Sequence, residues 1–512
     1  MHPSLLLANG AKSQHVLDKA AILEKRCRSC RMSPSAIQRS PATFRDMPPL
    51  ATVKHDKTVL ILGGGVSGIV AARTLHERGI HDFLIVEARD ELGGRMRSTE
   101  FGAEGDRVTV ELGANWIQGT QEGSGPANPI LTLAEKYQLR TAPSDFYGSI
   151  ATYDETGAVD YLETLNKAVD AYTELTILGG ARVPTKQVDT TCRTSYSLLG
   201  SKPNNKPHEM VAEYYVFDWE YAQTPEQTSS IASSWANNFT FDVDQGGFSD
   251  ANLLCVDKRG FKHIIQAEAQ SFLSTAHILL NATTTAVTIA LVNGTKLSAD
   301  YAITTFSLGV LQNDDVVFEP KLPSWKQEAI QSMSMATYTK IFLQFEEKFW
   351  FDTQFALYAD SERGRYPVWQ GLDLEGFLPG SGVVFATVTR SPTEQVQAEL
   401  LDVLGVMFPN ITIPQPKAFF FPRWFSDPLY RGSYSNWPAS FVSPHHTNLR
   451  ANVGKRLWFS GEAMSQKYFG FLHGAYFEGL DAGRRVSDCV LGASCKSLPF
   501  AASIKNANPY VV

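Results

Sequence analysis

No apolar run in the 512 residues is long enough to cross a membrane as a helix, which takes about 18 residues in succession. The longest apolar stretches, such as Thr58 to Leu62, are strand-sized. Cysteine is scarce: six residues in a chain this long are no disulfide scaffold, although the closely spaced Cys489 and Cys495 permit a small clamp. Cys27 and Cys30 form a CxxC with no second Cys or His pair near it and no strand–helix–strand unit before it, which argues against zinc and thioredoxin chemistry; no metal site is expected. Repeats and heptads are absent, so solenoids and coiled coils are excluded. Positive charge is also short: residues 1–57 hold ten Lys+Arg and four Asp+Glu, and the rest of the chain stands formally at −13 against −7 overall. An acidic body disfavours nucleic-acid binding and concentrates cationic small molecules.

What is present suggests two packed domains, since 43% hydrophobic and 11% aromatic residues suffice for large cores. Residues 1–54 read as a separate, disordered or targeting extension, punctuated by Gly10, Pro34, Pro41, Pro48 and Pro49 and carrying the basic run Lys25 to Arg31. Leu5 to Ala8 is too short for a secretory h-region, and Arg26 to Arg45 resembles a transit peptide only in composition. Asn238, Asn281, Asn293 and Asn410 each open an Asn-x-Thr sequon, which marks surface sites in a secreted chain. The secretory pathway is favoured over the cytoplasm, without a clear signal peptide.

The strongest local pattern runs from Thr58 to Glu87. An apolar strand, Val59 to Leu62, leads into Gly63, Gly65 and Gly68 as GxGxxG, then a helical stretch, Val66 to Arg78, and a second strand, Phe83 to Val86, ending in Glu87. The first glycine permits the tight turn, the second a close approach of backbone N–H groups to a pyrophosphate, and the third close packing of helix on strand. An acid about 20 residues on accepts the adenosine ribose hydroxyls and argues against a 2′-phosphate. Leu92 to Arg95 adds a second glycine turn with a cation beside it, able to contact the same pyrophosphate.

Ala88 to Ser98 (ARDELGGRMRS), Glu111 to Trp116 (ELGANW) and Gly461–Glu462 in LWFSGEA resemble the FAD-binding segments of the flavin amine oxidases. Asn128 to Ile130, Phe217 to Glu220, Thr337 to Phe345, Pro422 to Pro438 and Phe469 to Asp481 are similar, in the same order, to segments of the plant and fungal polyamine oxidases, so the resemblance covers residues 57 to 495. It implies FAD as cofactor, held by Gly63, Gly65, Gly68, Glu87, Arg89, Gly94, Arg95, Gly113, Ala114, Asn115, Trp116, Trp424, Glu462 and Phe471. It implies oxidation of a small-molecule amine by hydride transfer to flavin N5, with dioxygen as oxidant. Tyr434 and Phe471 match the two aromatic positions that flank the substrate amine, where facing rings attract cations; a Tyr is usual at the second. Lys340, which a strand places on one face with Tyr338 and Phe342, matches the lysine that bridges through water to flavin N5. A helix from Leu472 to Leu480 would aim its positive end at the flavin pyrimidine. His473 reads as structural.

Glu220 matches one carboxylate of the polyamine subsite and Trp116 its neighbour. Where the family has an acid two residues after that tryptophan, this chain has Gln118, one negative charge fewer. Spermine, spermidine and their N-acetyl derivatives are the expected substrates. A monoamine, an alkaloid-type amine or an L-amino acid is the alternative, and a chromatin-associated oxidase or a flavin-binding protein without turnover a remoter one.

The expected architecture is α/β: a Rossmann-type FAD domain built discontinuously from residues 55–140, 235–310 and 450–495, and a mixed-sheet α+β substrate domain from 141–234 and 311–449, with 496–512 as a tail. Asn293–Gly294 reads as a hairpin turn between short strands. A monomer is expected.

Overall fold

A computed structural model describes residues 55–282, 289–290 and 296–500. The N-terminal extension with Cys27 and Cys30, the Asn293–Gly294 turn with its sequon, and residues 501–512 lie outside the described residues. In chain order, the elements that position the site are strand β1 (His55–Leu62), helix α1 (Val66–Glu77), strand β2 (Phe83–Val86), strand β3 (Lys296–Thr304), strand β4 (Thr339–Gln344), strand β5 (Leu457–Phe459) and helix α2 (Leu472–Val490).

Two large sheets organise the chain. In the first, Ile278–Leu279, β2, β1 and β3 follow one another in parallel, β5 also pairs with β3, and Ile289–Ala290 lies antiparallel at the edge. Val59, Leu60, Ile61 and Phe83 to Val86 are all buried, the unbroken apolar pattern of a parallel sheet covered on both faces. α1 buries Ile69, Val70, Ala71 and Leu75, and α2 crosses it closely. A methyl group on Gly479 would stand 2.4 Å from Ser67 O, and one on Gly483 2.7 Å from Thr74 Cβ. These glycines, one turn apart, set the interhelical distance. α2 runs ten residues beyond the expected end at Leu480; its buried Ala482, Val486 and Cys489 continue the apolar face. A disulfide joins Cys489 in the last turn of α2 to Cys495 just past its end.

The second sheet has seven strands in the order Ala418–Phe420, β4, Val383–Val388, Val368–Gly371, Phe355–Tyr358, Ile150–Asp154, Gly157–Ala158, antiparallel except between Phe355–Tyr358 and Ile150–Asp154. All six residues of β4 are buried, and its register places Lys340 opposite Thr387 and Phe342 opposite Phe385. Beside this sheet, Pro207–Glu213 passes into a π-helical turn, Tyr214–Asp218, and then Trp219–Tyr221, which ends on Ala222 in the left-handed conformation (φ 51°). Such π turns recur at functional sites; this one presents Glu220.

Among the described residues no helix is long and apolar enough to cross a membrane, and no group of three or more His, Cys, Asp or Glu could hold a metal ion. Of the sequon asparagines, Asn281 and Asn410 are exposed. Asn238 is half-buried, because its helix, Ser230–Phe241, turns Thr240 fully inward onto His473.

Candidate active site

At the C-terminal end of β1 the chain turns through Gly63 at φ 118°, a conformation open to glycine; a methyl group there would also stand 2.4 Å from Thr305 Oγ1. On Gly68 it would stand 2.0 Å from Gly63 O, so loop and helix pack as the spacing predicts. Gly65, by contrast, meets only Gly94 Cα at 3.7 Å, leaving an open cradle between the two glycine turns. Gly93 N donates to Gly64 O at 2.9 Å and locks the turns together. Glu87 accepts from Gly64 N at 2.7 Å and from Arg89 N at 2.9 Å.

Arg89 donates to Asp427 at 2.7 Å and lies 4.7 Å over the Tyr430 ring, while its buried Nε has no partner among the described residues. Arg95 donates to Ser433 O and to Glu462 at 2.9 Å. Glu462 also accepts from the Ser435 hydroxyl, from Ser435 N at 3.3 Å and from Gly470 N at 2.8 Å. Four protein donors fill the acceptor positions of this carboxylate; it ties Arg95, the segment 433–435 and the approach to α2 into one wall.

α1 and α2 both open onto the same cavity without a side-chain N-cap, so the uncapped N–H groups of two helices face it. The open cradle at Gly65, an arginine with a free buried N–H and two helix N-termini form the donor set that an anionic dinucleotide requires. The residues fit FAD.

At the other end, β4 carries Lys340. Its Nζ donates to Glu111 O at 3.1 Å and Gly113 O at 2.6 Å and lies 5.5 Å from the Trp116 ring. Burial pushes this amine down to about 7, against the opposing pull of the Glu111 carboxylate. Trp116 and Gln118 alternate toward the cavity on a short strand while Ile117 points into the core behind. Trp116 Nε1 donates to Ser144 Oγ at 3.0 Å, and its ring meets Trp219 and Phe146 edge-on.

Tyr434 donates its hydroxyl to Glu220 O at 2.9 Å and rests on Tyr338, ring centroids 5.9 Å apart. Phe471 stacks instead on His473 at 4.9 Å and meets Phe241 at 6.1 Å, so the two aromatic residues belong to different clusters of the wall. His473 faces Thr240 and Asn128, and burial pushes it down to about 3; it is a neutral structural group. Among the described residues the Glu220 carboxylate has no hydrogen-bond or ion-pair partner, and desolvation alone raises it to about 7.

Every residue assigned from the sequence to cofactor, substrate or catalysis lines this one cavity except Gly68, which is buried in α1 against the glycine loop. The cavity brings in others that sequence reasoning passed over: Trp219, Tyr430, Ser433 and Thr305. Trp219 stands next to Glu220, a local hint. Tyr430 meets Arg89 and Thr305 meets Gly63 across hundreds of residues, and no local pattern announces such contacts.

The profile of the flavin containing amine oxidoreductases matches residues 66–487. The chain is 36% identical over 473 residues to polyamine oxidase 1 of Zea mays, covering 86% of this chain and 92% of that one. It is 35% identical over 473 residues to polyamine oxidase 7 of Oryza sativa subsp. japonica, covering 86% and 97%. A redesigned putrescine oxidase superposes with a TM-score of 0.65 at 16% identity, over 85% of this chain and 99% of that one, a likeness of fold.

Proposed function

Because the chain belongs to the flavin-containing amine oxidoreductases, as an FAD-dependent amine oxidase, we propose that it oxidises polyamines, namely spermine, spermidine or their N-acetyl derivatives, at a secondary amine. Loss of a hydride and a proton leaves an imine, which water splits into an aminoaldehyde and a shorter amine, while dioxygen leaves as hydrogen peroxide. The observation that carries this reading is the Glu220 carboxylate in an aromatic wall: half-buried, desolvated and without a partner among the described residues, it asks for a cation.

FAD, when bound, supplies the acceptor for a hydride from the carbon alpha to the amine and passes the electrons to dioxygen. The protein does the rest. Glu220 binds an ammonium of the substrate distant from the reacting nitrogen, and Trp116, Trp219 and Tyr434 supply π faces along the same wall. Tyr434 and Phe471 line the slot for the amine, and the apolar ring of Phe471 helps to keep water out. Lys340 keeps two N–H groups on the carbonyls of Glu111 and Gly113, so the titrating position of the amine faces the cavity, where it holds or releases a proton. The first turn of α2 presents uncapped N–H groups to negative charge building up at the cofactor.

Peroxide release measured across spermine, spermidine, their N-acetyl forms, simple monoamines and L-amino acids tests the substrate. Turnover of polyamines above the other classes is expected. Silence on every polyamine with turnover of a monoamine or an amino acid refutes it in favour of the alternative amine.

A further inference from the structure

Lys340 is 2% exposed and Glu111 7% exposed, and among the described residues neither has a charged hydrogen-bond partner. The two Glu111 oxygens accept from uncharged donors, Ser98 Oγ at 2.7 Å and Phe261 N at 2.8 Å, with the Cys255 thiol at 3.9 Å. Both contacts are ones that an ionised carboxylate can accept. The two Lys340 hydrogen bonds go to backbone carbonyls, one of them that of Glu111 itself. A buried anion and a buried cation thus sit in one small volume, and either alone would be costly to keep charged. The carboxylate points away from the cavity; only the lysine lines it.

We propose that Glu111 is the counter-charge of Lys340: a positioning residue, outside the cavity, whose carboxylate lets a buried amine carry a proton while it faces substrate and flavin. The proposal rests on the reading of Lys340 given above. Other groups around the amine are less suited. Thr387 and Phe385 from the neighbouring strand are uncharged, and Tyr338 and Cys255 are neutral weak acids that burial pushes further up. Lys262, whose charge also bears on Glu111, is paired with Glu91 at 2.7 Å. Burial drives the carboxylate up and the amine down, and each charge opposes that drift in the other.

Glu111→Gln keeps the shape, and Ser98 Oγ can turn to accept from the new amide. With flavin content checked by visible absorbance, two measurements follow. In a thermal-unfolding cycle of Glu111→Gln, Lys340→Met and the double variant, the double is expected to lose less than the sum of the singles; additive losses overturn the proposal. In pH profiles of amine oxidation, the limb that Lys340→Met abolishes is expected to move toward acid in Glu111→Gln by about one pH unit, a roughly tenfold fall in protonated amine above both values. Glu111→Asp, which keeps the charge, should leave that limb in place. An unmoved limb in Glu111→Gln overturns the proposal as well. If Lys340→Met leaves turnover and profile unchanged, the proton role of Lys340 falls, and the charge coupling to Glu111 is judged by the unfolding cycle alone.

Discussion

Replacing Glu220 by Gln should make the protein more stable and a poorer catalyst on cations. A carboxyl held at about 7 instead of 4.5 carries a penalty on its ionised form of about 3 kcal/mol at roughly 1.4 kcal/mol per pH unit. Because the folded value is raised, the folded chain binds more protons than the unfolded one between these values, and Glu220 erodes stability as pH rises from 4.5 to about 7. Glu220→Gln is therefore expected to unfold at a higher temperature than the wild type at pH 8, by at most that amount in free energy, with the gap closing toward pH 4.5. The same change removes the partner of a desolvated ammonium, a loss of about 2 kcal/mol or more, or at least a 30-fold rise in KM for a polyamine. An uncharged amine would feel little of it. Thermal unfolding at the two pH values, beside initial rates of peroxide formation, decides the matter. A variant less stable than wild type at pH 8, with KM for spermine unaltered, would refute both the desolvation and the role.

The other expectations are as direct. Gln118→Glu adds a second carboxylate to the same wall and should improve kcat/KM for spermine relative to its N-acetyl form by about tenfold or more; an unchanged ratio places Gln118 outside the substrate path. Gly68→Ala puts a methyl group 2.0 Å from Gly63 O, so the glycine loop must move; purified protein should carry markedly less FAD by absorbance, and full occupancy would show that the loop tolerates the shift. Lys326, fully buried, donates to the carbonyls of Asn448, Leu449 and Ala451 and lies 3.7 Å over Phe459. Lys326→Met removes the donor that three carbonyls share at the end of helix Ser443–Arg450 and should cost on the order of 3 kcal/mol in denaturant unfolding; a loss within error would show that water replaces the ammonium.

How far the site could be read beforehand depends on how local its parts are. Gly63, Gly65, Gly68 and Glu87 form a pattern within 25 residues because strand, turn and helix are consecutive, and the structure lays them out as the spacing predicts. The face of Lys340 followed from strand alternation. Glu462 was visible only as a match: that Arg95, Ser435 and Gly470 converge on it depends on chain segments up to 367 residues apart. The same holds for the separation of Tyr434 from Phe471, decided by Tyr338 on one side and His473 on the other. The length of α2 was underestimated because Gly479 and Gly483 weaken the helical pattern locally, and only the approach of α1 explains them.

The charges at the substrate end then limit what the cavity can hold. If Glu111 neutralises Lys340, the pair contributes no net charge to the wall, and Glu220 is left as its uncompensated group. One ammonium completes it. A second, on a substrate reaching deeper, would meet Gln118, whose amide oxygen offers an acceptor but no charge, so that ammonium must shed its proton or remain where water still solvates it. The reacting amine must in any case be neutral to release hydride, and Lys340 stands on the cavity wall with an amine balanced near 7 to take up or return a proton. The arrangement therefore favours substrates with a single fixed charge along the buried path, and it makes the wild-type ratio of N-acetylated to free spermine turnover fall as ionic strength drops and unscreened attraction from the acidic surface favours the more highly charged amine.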